Sequence, residues 1–125
     1  MGNVQRIAAW SCAGVLLSVN VLAGRDALRL QVSPLVARAP ASVTVRVTLQ
    51  PTADDRYLRV IAESPTYYRS SEVELEGAKS SPVQVFEFRN LTAGVYQITA
   101  VLVGRLGPRA TALRLANIAP PVGSQ

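Results

Sequence analysis

From Leu28 onward, apolar residues return at every second position, and no stretch returns them at the 3.6-residue spacing of a helix. Val43, Val45, Val47 and Leu49 alternate with Thr44, Arg46 and Thr48, the cleanest such run. Leu28-Leu30-Val32, Leu58-Val60-Ala62, Val73-Leu75 and Tyr96-Ile98-Ala100-Leu102 repeat the pattern, and Thr111-Leu113-Leu115 alternate with Ala112 and Arg114. Val83, Val85, Phe86 and Phe88 change phase, which implies a bulge near Val85–Phe86. The runs predict seven strands, at about 27–33, 42–49, 57–63, 71–76, 83–88, 95–103 and 110–117. Pro34, Pro40, Pro51, Pro65, Pro82 and Pro108 fall between the runs, where a missing N–H costs nothing. Short strands with turns between them predict an all-β, antiparallel sandwich.

The segment before these strands reads as a secretory signal peptide. Arg6 supplies the positive start, Ile7 to Leu22 is an apolar run, and Val21-Leu22-Ala23 fits the small-residue cleavage rule. The domain reading is therefore 1–23 as a cleaved signal peptide, 24–118 as the sandwich and 119–125 as a disordered tail. An uncleaved anchor is the alternative, although the run falls short of the roughly 20 residues a spanning helix needs. Cys12 sits too early in the run for lipid attachment and leaves with the segment, so the exported chain would hold no cysteine. Among thirteen basic residues only Lys79 is lysine, a bias that fits GC-rich bacterial coding. The expected location is periplasmic or extracellular.

The chain has no histidine, which removes the usual general base and the commonest metal ligand. One cysteine removes zinc clusters and intrachain disulfides. Asp54-Asp55 is too small a set for calcium, which takes six to eight oxygens, and reads as turn chemistry. Glu72, Glu74 and Glu76 share one face of one strand and read as a charge-blunted edge. The serines have no activating base. The net charge of +5 is spread along the strands, with Arg29, Arg46, Arg59 and Arg114 as outward members, and not clustered with stacking aromatics. That distribution speaks against nucleic acid and for a soluble β surface. No catalytic residue, metal ligand or cofactor is read from the sequence.

The stretch Leu91-x-x-Gly94-x-Tyr96 resembles the tyrosine corner of immunoglobulin-like and fibronectin type III domains. Leu28-x-Leu30-x-Val32-x-Pro34 with Ala41-Ser42-Val43-Thr44-Val45 is similar to the first strands of bacterial immunoglobulin-like modules. The resemblance implies that the Tyr96 hydroxyl bonds back to the backbone of its own corner. The cysteine pair of antibody domains is absent and Trp10 lies in the signal segment, so Leu58 or Val60 must fill the core position of the usual tryptophan.

Tyr67-Tyr68-Arg69, in the loop after Pro65 between the third and fourth predicted strands, is the residue set expected to touch a partner. Alternation would bury one ring and expose its neighbour, and exposed tyrosine beside arginine is typical of interface hot spots. The expected function is a small exported, non-enzymatic domain for protein interaction or envelope structure, with an accessory carbohydrate-binding module as the alternative. The partner would be a protein or a glycan, and a membrane only if the signal segment stays uncleaved.

Overall fold

The computed structural model describes residues 27–123; the segment expected to be a signal peptide, with Cys12, lies outside them. Eight strands form: β1 (Leu28–Ser33), β2 (Val36–Arg38), β3 (Ala41–Leu49), β4 (Asp55–Ser64), β5 (Tyr67–Glu74), β6 (Val83–Leu91), β7 (Gly94–Gly104) and β8 (Gly107–Ala119). They make two sheets, one ordered β1-β3-β6 and one ordered β2-β8-β7-β4-β5. The all-β expectation holds, and the count of seven is corrected to eight.

The added strand is β2. Three residues are too few to show alternation, so Val36–Arg38 read as loop. Its position is fixed from outside: it lies parallel to the end of β8, with Asn117 donating to the Leu35 carbonyl and Ala39 donating to Ala119, each at 2.8 Å. This one parallel pairing also corrects the purely antiparallel expectation. The chain thus leaves the first sheet at Pro34 and joins the second for three residues before returning as β3.

The core is what the alternation requires. Val43, Val45, Val47 and Leu49 of β3 face Leu58, Val60 and Ala62 of β4 and Tyr96, Ile98, Ala100 and Leu102 of β7 across one apolar layer. Burying each valine or leucine is worth about 1.5–3 kcal/mol. Leu58 and Val60 are both fully buried, as the missing tryptophan demands.

Two details of strand phase differ from expectation. β6 pairs without interruption from Val83 to Phe88, with Val85 opposite Arg46 on the outer side, so no bulge lies at Val85–Phe86. The irregularity falls at Arg89–Asn90 instead, where Asn90 adopts φ 59°. Val85 is simply an exposed valine. In β8, Ala112, Arg114 and Ala116 oppose the inward residues Ala100, Ile98 and Tyr96, so Arg114 is on the inner side and Leu113 and Leu115 face solvent. Arg114 tolerates that side because its stem runs to the rim, where its Nε donates to the Leu30 carbonyl at 3.1 Å.

Candidate functional site

The connections sort to two ends. One gathers residues 50–54, 75–82 and 105–106, the other 34–40, 65–66 and 92–93. At the first end, Asp54 and Asp55 both meet arginine. Asp54 is at the surface, where Arg105 Nε donates to it at 2.7 Å. That hydrogen bond, with the positive charge behind it, holds the Asp54 carboxyl below its ordinary pKa of 3.8. Asp55 is fully buried, contrary to its reading as an ordinary turn acid. It accepts from the Thr52 backbone N–H at 2.8 Å, from Thr52 Oγ1 at 3.2 Å and from Arg109 Nε at 2.7 Å. Two irregularities in pairing, beside Arg56 on β4 and Arg109 on β8, shape this corner. Sequence reasoning missed the pair because its members are 54 residues apart.

At the second end, Gly94 takes φ 152°, a conformation that suits glycine, and the chain turns into β7. Tyr96 is fully buried and its hydroxyl donates to the Thr92 carbonyl at 2.8 Å, the bond the motif implies. Tyr67, Tyr68 and Arg69 are not a loop but the first residues of β5, joined to β4 by the two-residue turn Pro65-Thr66. The turn is tight because Ser64 pairs directly with Tyr67. Tyr67 packs edge-on against Tyr96, with ring centroids 5.3 Å apart, and the Arg69 guanidinium lies over it at 5.8 Å. The Tyr67 hydroxyl is buried with no hydrogen-bond partner, as is Ser64 Oγ. Of the two rings only Tyr68 is outward, 67% exposed. The structure therefore splits the predicted trio: Tyr68 remains available to a partner, while Tyr67 is packing.

This contrast makes a paired prediction. Tyr96→Phe loses a satisfied buried hydrogen bond and should cost about 1–3 kcal/mol by urea titration. Tyr67→Phe removes a hydroxyl without a partner and should leave stability equal or higher. Equal midpoints for wild type and Tyr96→Phe would sink the corner assignment.

The outer face of the five-stranded sheet carries the features sequence reasoning overlooked. Val95, Leu113 and Leu115 are 55%, 50% and 58% exposed. They are neighbours: Leu115 lies opposite Gln97, and Val95 lies opposite Asn117, two positions along β8. A cross-strand row connects Leu115 through Gln97 and Glu63 to Tyr68. Towards β5 the face turns polar: Arg59 donates to Glu72 at 2.9 Å and lies over the Tyr57 ring, and that hydrogen bond raises the Arg59 pKa. The signal for this surface was present as two leucines in β8, but their phase was assigned to the core.

No protein-family model and no curated protein matches the chain. Solved structures share its fold. A superoxide reductase (neelaredoxin) from Ignicoccus hospitalis aligns at TM-score 0.58 and 17% identity over 74% of this chain and 80% of that one. A putative superoxide reductase from Thermotoga maritima gives 0.58 at 10% identity over 75% and 86% of the two chains. The sulfur carrier protein SoxY from Chlorobium limicola f thiosulfatophilum gives 0.54 at 14% identity over 74% and 79%. At these identities the likeness shows an all-β fold and nothing finer.

The neighbours correct the non-enzymatic expectation, because enzymes are built on this fold. Scarce acid–base groups were the wrong criterion, because a bound metal or cofactor can carry an enzyme's chemistry. A fold hosts whatever site is grafted on it. The described residues do not fit a metal centre. The chain has no histidine, and among the described residues no group of three or more His, Cys, Asp or Glu stands where it could hold a metal ion. No redox step is derived for this chain.

Proposed function

We propose that the chain is an exported immunoglobulin-like domain that binds another protein through the outer face of its five-stranded sheet. The export half of this reading rests on Arg6, the apolar run to Leu22 and the Val21-Leu22-Ala23 cleavage pattern. The domain half is supported by strand order: the first, third and sixth strands form one sheet and the fourth, seventh and eighth lie together in the other, as in immunoglobulin sandwiches. The Tyr96 corner supports the same class.

One observation carries the binding role. Val95, Leu113 and Leu115 form an apolar cluster on a face that could have been polar, as the outer face of β3 is. Scattered exposed apolar residues are ordinary, but adjacent ones mark interaction surfaces. Tyr68 adds a stiff ring on the same face at little entropic cost. The carbohydrate alternative gains no support, since Tyr68 is the one tyrosine strongly exposed among the described residues and a sugar platform needs several rings.

The test is affinity capture from envelope extracts with the secreted chain as bait. A partner is expected that the Leu113→Ser/Leu115→Ser variant no longer retains, that Tyr68→Ser retains weakly and that Arg105→Ser retains fully. Undiminished capture of that partner by the folded double-serine variant would overturn the reading.

A further inference from the structure

We infer that the free edge of β8, from Thr111 to Leu115, takes up an extended, acidic segment of a partner polypeptide as an added strand. The inference rests on the protein-binding reading above and specifies the edge used and the partner's chemistry.

The backbone supplies the first observation. Asn117 donates its N–H to Leu35 and Ala119 accepts from Ala39, so the odd-numbered residues at this end of β8 turn their polar groups toward β2. Pairing with β7 is regular from Ala110 to Ile118, so alternation carries the same orientation back to Leu115, Leu113 and Thr111. Among the described residues, β2 pairs only with Asn117, Ile118 and Ala119; before them no strand is hydrogen-bonded to this edge of β8, which faces β1 across a groove that Arg114 bridges to the Leu30 carbonyl. Three N–H groups and three carbonyls therefore point into this groove in strand register without a strand partner, a template for one more strand.

The opposite edge of the same sheet is protected and this one is not. β5 carries Glu72 and Glu74 outward, and like charges there repel an acidic newcomer. β8 presents Thr111, Leu113 and Leu115 on its outer side, side chains that pack well against a neighbouring strand. An added strand would extend the apolar cluster and cover part of it.

Charge selects the partner. Between the edges of β1 and β8 runs a groove of about 480 Å³, with Leu28 and Leu30 on one wall and Ala112 and Leu113 on the other. Arg29 and Arg114 line it, and Arg114 also lines the adjoining hollow of about 630 Å³ together with Arg46. No aspartate or glutamate lines either one. A strand laid on β8 would direct alternate side chains toward these arginines, where carboxylates complement them and ammonium groups are repelled. The remaining side chains would lie beside Leu113 and Leu115, where apolar residues fit.

The probe is a synthetic peptide alternating glutamate and valine, compared at neutral pH with its lysine–valine counterpart, each added to the full secreted chain. Amide hydrogen exchange followed by NMR should slow at Thr111, Leu113 and Leu115 with the glutamate peptide and stay unchanged along β5. Leu113→Pro removes one outward N–H without touching the β7 pairing, and it should weaken the peptide by about tenfold or more while the fold persists. Arg29→Glu/Arg46→Glu, two exposed positions outside the edge itself, should reverse the preference between the peptides even if the proline variant fails to fold. Equal affinity for both peptides, protection on β5 instead of β8, or no binding overturns the inference. So does protection of the three amides that rises with protein concentration alone, which would make the occupant a second copy. Loss of the inference leaves the capture result for Leu113→Ser/Leu115→Ser standing or falling by itself.

Discussion

Arg109→Ala is expected to lower the free energy of unfolding by about 3 kcal/mol, one of the two largest single-residue effects in this domain. Asp55 is fully buried, and Arg109 is its only charged partner among the described residues, at 2.7 Å. Removing the guanidinium leaves a carboxylate in the interior with two neutral donors, both from Thr52. Truncating one partner of a buried pair typically costs about 3–5 kcal/mol. The lower end applies because 28% of the Arg109 side chain is exposed and the Thr52 donors remain. The double variant Asp55→Asn/Arg109→Met, which removes the charge along with its partner, should recover much of the loss. Urea titration of the three variants checks this. A shift below about 1 kcal/mol for Arg109→Ala would mean the pair behaves as an exposed one.

Leu58→Ala should cost at least as much, about 3–5 kcal/mol within the range for leucine cavities. Leu58 is fully buried, and its backbone is paired on both sides, to Val73 of β5 and Leu102 of β7. A strand held on both edges has little freedom to collapse into the space left behind, so most of the cavity persists. Val85→Ala is the control: its side chain is 58% exposed, and its loss should fall within about 0.5 kcal/mol of wild type. The denaturant midpoint should fall for Leu58→Ala with its slope unchanged. A loss under about 1.5 kcal/mol would show that the two sheets close over the gap.

The candidate surface was legible only in fragments. Alternation foretold that one of Tyr67 and Tyr68 would be exposed and its neighbour covered, without saying which; the structure exposes Tyr68. Its loop assignment failed because Pro65-Thr66 is just long enough for a hairpin, which makes Tyr67 a strand residue paired with Ser64. Leu113 and Leu115 were misplaced for a different reason. β8 carries apolar residues on both sides, alanines on one and leucines on the other, so periodicity shows a strand without showing which side faces in. The larger side chains suggested the core. The register with β7 instead turned the alanines inward, where the core's Tyr96, Ile98 and Leu102 occupy the space.

What the sequence by itself determined is the set of elements that need only local information. Period-two alternation and proline placement define seven of the eight strands and alternating glutamates define a protected edge, while the corner at Tyr96 is what the resemblance of Leu91-x-x-Gly94-x-Tyr96 implies. These follow from backbone geometry and side-chain polarity within a few residues. Tertiary structure alone decided the rest: the pairing of β2 with β8, the burial of Asp55 against Arg109, the inward side of Arg114 and the edge at Thr111–Leu115, to which no strand among the described residues is hydrogen-bonded. Each joins residues far apart in the chain, and its energy depends on which strand lies alongside. A strand's own alternation is the same whether or not a neighbour is paired to it, so only the tertiary pairing could show which part of β8 has no strand partner among the described residues.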